Sequence, residues 1–78
     1  MKSETITKEK FNTLDPNKVC VCYSAPDVYV VSGSDLMEEN KTKTLLELVD
    51  DLLSNMPRDN FEILRVNGEG NLVKVEII

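Results

Sequence analysis

The chain has 78 residues, 14 acidic against 9 basic side chains for a formal charge of −5, and 41% hydrophobic residues. That length suits one domain near the lower limit for an unaided hydrophobic core, and that apolar content is typical of a globular rather than a disordered chain. The acid excess disfavours direct DNA or RNA binding, which depends on neutralising phosphates with Lys and Arg.

Residues 1–5 carry no apolar run after Lys2, so no secretory signal peptide is expected, and no segment approaches the roughly 18 apolar residues of a membrane span. A cytoplasmic protein without membrane contact is the expectation. Residues 1–17 are expected to form an edge strand or an arm, because Ile6, Phe11 and Leu14 are scattered among Thr, Lys and Glu. Asp15-Pro16-Asn17 marks a turn, since Pro presets φ and the flanking side chains bond nearby backbone.

Residues 18–24 and 27–32 are dense in Val, Tyr and Cys and read as a hairpin about Ala25-Pro26. A loop centred there sets Tyr23 opposite Val28, Val21 opposite Val30 and Val19 opposite Ser32. One face then carries Val19, Val21, Tyr23, Val28 and Val30, and the other Cys20, Cys22, Tyr29 and Val31. Val31-Ser32-Gly33-Ser34-Asp35 reads as a polar connection towards the helix, and the Asp35–Glu38 spacing suggests a short turn over 35–40.

From 42 to 56 the apolar period becomes helical. Leu45, Leu46, Val49, Leu52, Leu53 and Met56 share one side with Leu48 at its margin, opposite Glu47, Asp50, Asp51 and Ser54. Thr44 and Glu47 match a capping box, and Pro57 stops the helix. Residues 61–78 form a second hairpin. A three-residue loop at Gly68-Glu69-Gly70 pairs Val66 with Leu72 and Arg65 with Val73, putting Phe61, Ile63, Val73, Val75 and Ile77 on one face.

The predicted fold is a single α+β domain over residues 1–78, of order (β)-β-β-α-β-β. An antiparallel sheet of four or five strands carries one helix on one face. That helix leaves Cys20, Cys22, Tyr29, Val31, Leu64, Val66 and Leu72 on the far face, so a second surface is expected there.

Little in the chain suggests catalysis. There is no histidine, the commonest proton-transfer group near neutral pH. Cys20-Val21-Cys22 places two thiols on one side of a strand, about 7 Å apart by the strand rise, which suits neither a disulfide nor a zinc knuckle. Gly68-x-Gly70 leads into a strand rather than a helix, so it does not cradle phosphate. The expectation is therefore no enzyme, no metal and no cofactor.

Glu38, Glu39, Glu47, Asp50 and Asp51 concentrate the acid on the helical region and point to a partner protein with a basic surface. The apolar far face points to a homodimer. Together they suggest a small binding protein of regulatory or inhibitory kind. Its size resembles that of stand-alone regulators, including those of phages and mobile elements, by association alone. The alternative is a small-molecule or accessory-subunit module, with a pocket lined by Tyr23, Tyr29 and the cysteines at a dimer interface.

Overall fold

The computed structural model describes residues 2–24, 28–55 and 60–78. Five strands, β1 (Lys2–Ile6), β2 (Val19–Tyr23), β3 (Tyr29–Ser32), β4 (Phe61–Val66) and β5 (Leu72–Ile77), form one sheet of order β1-β5-β4-β2-β3. Three helices join them: α1 (Lys8–Asn12), α2 (Gly33–Glu39) and α3 (Leu45–Asn55). A 3-10 turn at Pro16–Lys18 precedes β2. The α+β class stands, but the sheet is mixed rather than purely antiparallel, and three helices replace the single one expected.

The mixed character comes from the first residues. β1 runs parallel to β5, with Glu4 beside Val75 and Ile6 beside Ile77, and forms the outer edge. Thr7 caps α1 by accepting the Lys10 N–H, and the helix drives Phe11 to complete burial. The Asn12 side-chain oxygen accepts the Leu46 N–H at 2.9 Å, satisfying an orphan donor in the first turn of α3. Arg65 grips Glu4 with two hydrogen bonds, which ties β1 to β4 across β5. Residues 2–14 are therefore built into the fold, strand and helix together.

Local capping explains the other elements. Asp15 caps the 3-10 turn by accepting the Asn17 N–H. Ser32 accepts the Asp35 N–H and starts α2 at Gly33, so the expected connection and 35–40 turn are one helix. α3 opens on the Thr44–Glu47 capping box: Thr44 donates from N–H and hydroxyl to Glu47 Oε1, and Glu47 N–H returns to Thr44 Oγ1. Met56 and Pro57, the foreseen end of the helix, and the loop at Ala25-Pro26 lie outside the described residues.

All three helices pack on one face. Phe11, Leu36, Leu45, Leu48 and Val49 join Val19, Val21, Tyr23, Ile63 and Val75 in one core. Each such side chain contributes about 1.5–3 kcal/mol of burial. The β4–β5 hairpin has the expected register, Val66 with Leu72 and Arg65 with Val73. Its turn is closed by Asn67, whose N–H donates to Asn71, with Gly70 at φ 84° where a Cβ would be strained.

The β2–β3 hairpin is slipped by one residue from expectation. Tyr23 pairs with Tyr29, Cys22 with Val30, Val21 with Val31 and Cys20 with Ser32. One residue of slip turns every β3 side chain to the other face. Tyr29 and Val31 therefore join the helix side, where Val31 packs on the core and Tyr29 stacks on Tyr23 at 6.1 Å. Val30 moves to the far side, beside the cysteines.

Candidate docking surface

The far face of the sheet has two halves. Towards β1 it is polar, with Ser3 beside Lys74 and Thr5 beside Glu76. Towards β3 it is apolar: Leu64 lies beside Cys20, Val66 beside Leu72, and Cys22 beside Val30, with Glu62 on the other flank of Cys22. Leu64, on a central strand, is 6% exposed, whereas Leu72 is 50% and Val30 56% exposed. Of the seven residues expected on this face, Cys20, Cys22, Leu64, Val66 and Leu72 are brought together; Tyr29 and Val31 are not. No described helix covers it, since every helix contributes to the core on the opposite side.

The two thiols approach closely despite the strand rise, with the sulfurs 3.9 Å apart. The 7 Å expected from the strand rise applies to the backbone, and the side chains lean towards each other. Burial first, then the neighbouring Cys22, pushes the Cys20 thiol up to about 11. It stays protonated at neutral pH and behaves as a small apolar group with a weak S–H donor. Among the described residues no cluster of Cys, Asp and Glu is arranged to hold a metal ion.

The apolar half runs out to β3, which among the described strands pairs only with β2. The hydrogen bond from Ser24 N–H to the Asn60 carbonyl, directly opposite in the continued register, places 24/60 at a hydrogen-bonded position of the β2–β4 ladder. By alternation, Cys20 and Cys22 also turn their backbone groups to β4, and Val21 and Tyr23 theirs to β3. Tyr29 and Val31 thus bond β2, and the N–H and C=O of Val28 and Val30 point away from the sheet. Val28 is 82% exposed. The opposite edge, β1, carries Lys2 and Glu4, the charged residues that discourage strand addition, while β3 has none.

The acidic residues do not form one patch. Glu47 is engaged in the capping box, and Thr44, through its N–H first and then its hydroxyl, holds its carboxyl below the usual range. Asp51 pairs with Lys43 at 2.5 Å. Asp50 borders an open groove of about 530 Å³ between α3 and β4–β5, where Leu46, Val49, Leu53 and Phe61 meet. Glu38 and Glu39 sit on α2 with Asp35, flanking a cleft of about 380 Å³ along Tyr29, Val30 and Val31. Sequence reasoning missed Val28, Val30 and Asp35, because only the strand order reveals that β3 is an edge.

Tyr23 with Tyr29 and the cysteine pair occupy opposite faces of the sheet, so they do not line one pocket. No described helix is long and apolar enough to cross a membrane. Compared with known proteins, the chain matches no family model, no curated protein and no solved structure.

Proposed function

We propose that this chain is a small protein-binding module of regulatory kind that acts as a homodimer through the apolar half of its uncovered sheet face. The observation that supports this is the strip Leu64, Cys20, Cys22, Val66, Leu72 and Val30, laid side by side on four adjacent strands and roofed by none of the described elements. Contiguous apolar surface of that kind marks interaction sites on monomers. The charges on this face favour a second copy: Lys74 stands among Glu62 and Glu76, so a two-fold mate can set its lysine against these carboxylates. Glu38, Glu39 and Asp50, in no ion pair among the described residues, give the dimer an acidic exterior for a basic partner.

Sedimentation equilibrium of the full chain and of a Val66→Glu/Leu72→Glu variant tests this. Both positions are at least partly exposed, so the variant keeps its fold by circular dichroism. A dimer that the substitutions dissociate is the expected result. A parent chain that stays monomeric at high micromolar concentration removes the proposal.

A further inference from the structure

We propose that the free edge of β3 receives an extended, basic-apolar segment of another protein as a sixth strand. This rests on the protein-binding reading above but not on dimerisation. The edge supplies the hydrogen bonds: by alternation Val30 turns its N–H and C=O outward, and continuing that alternation one step past the strand does the same for Val28, ready to pair with an added chain. The edge is short, at 4 residues, but Tyr29–Ser32 holds neither a charge nor a proline, and no described strand pairs with its outer side.

The chemistry of the segment follows from what flanks that edge on each face. On the helix side, α2 begins directly after β3 and carries Asp35, Glu38 and Glu39 along the cleft beside Tyr29, Val30 and Val31. All three carboxylates are exposed, and none joins an ion pair among the described residues. On the other side, Val30 extends the apolar strip of Cys22 and Leu64, and Val28, 82% exposed, stands just before it. Side chains of an added strand alternate between these two environments. Lysines or arginines at every second position would therefore meet α2, with valine-like side chains between them lying beside Val28 and Val30. The same carboxylates argue against a second copy at this edge, because pairing β3 with β3 gathers six of them without a cation.

The test uses the full chain labelled with ¹⁵N and two capped hexapeptides, one alternating lysine with valine and one alternating glutamate with valine. The lysine peptide is expected to bind, to slow amide hydrogen exchange at Val28 and Val30 at least tenfold, and to leave β1 unchanged. The variant Glu38→Lys/Glu39→Lys, at two exposed positions, is expected to weaken that binding at least tenfold without altering the sedimentation of the chain. Equal binding of both peptides, protection centred on β1, or no binding at millimolar peptide overturns the proposal. So does protection of Val28 and Val30 that rises with protein concentration in the absence of peptide, which would assign the edge to a second copy. Dimerisation through the open face is read separately by sedimentation, so either idea can fail alone.

Discussion

Replacing Phe11 by alanine is the sharpest test of how the N-terminal residues belong to the fold. The ring is 0% exposed and sits in the core with Leu45, Leu48 and Val49. Truncating a buried Phe to Ala costs about 3–5 kcal/mol from lost transfer free energy and the cavity left behind. A domain of this length has roughly 4–12 kcal/mol in total, at about 0.05–0.15 per residue. Phe11→Ala therefore removes at least about a quarter of the stability. With a urea m-value of about 1–1.5 kcal/mol/M, small because the chain is small, the midpoint falls by about 2 M or more. Equilibrium urea unfolding followed by far-ultraviolet circular dichroism measures it. A loss below about 1 kcal/mol with an unchanged m-value would mean that residues 2–14 are an appended arm, as the sequence alone allowed.

Three further outcomes follow from particular contacts. Cys20, lifted to about 11 from an ordinary 9.0, has about a hundredfold less thiolate at pH 8, so iodoacetamide should label it about a hundred times more slowly than a free cysteine thiol; a site-resolved rate within about threefold of the free thiol contradicts that environment. Gly33 leaves room for no side chain, because a Cβ there would lie 2.7 Å from the Pro16 carbonyl oxygen. Gly33→Ala should cost about 1–3 kcal/mol and lower Tm by about 5–20 °C, and an unaltered melt would show that the Pro16–Lys18 turn yields. Arg65, chiefly through its hydrogen bonds, holds the Glu4 carboxyl below the ordinary 4.5. A carboxylate with a lowered folded value adds stability that is present above pH 4.5 and is lost as pH falls through that lowered value. Glu4→Gln should flatten the acid limb of the stability profile, and an identical limb in parent and variant would assign acid sensitivity elsewhere.

What could be read from the residues was whatever short-range chemistry dictates. The Thr44–Glu47 box, the apolar side of α3 and the Gly70 bulge each depend on neighbours a few positions apart, and each appears as expected. The β4–β5 register was legible because its three-residue loop alone aligns the apolar side chains. The β2–β3 register was not: both strands are apolar on both faces, so a slip of one residue sacrifices little in the pattern. That slip carried Tyr29 and Val31 away from the cysteines. Ser32 as the cap of α2 was hidden behind the equally plausible Asp35–Glu38 spacing. The parallel pairing of β1 with β5 joins residues some seventy positions apart, beyond any local rule, and the status of β3 as an edge follows only from that strand order.

The account depends most on the uncovered strip across β5, β4, β2 and β3 being an interface in solution. Paramagnetic relaxation of the Val30, Val66 and Leu72 methyls by an inert gadolinium chelate, measured as protein concentration rises, probes this surface directly. The account predicts that these methyls become shielded together while Ile78, exposed at the chain's end, stays accessible. Methyls that remain as accessible at millimolar protein as at micromolar would contradict it.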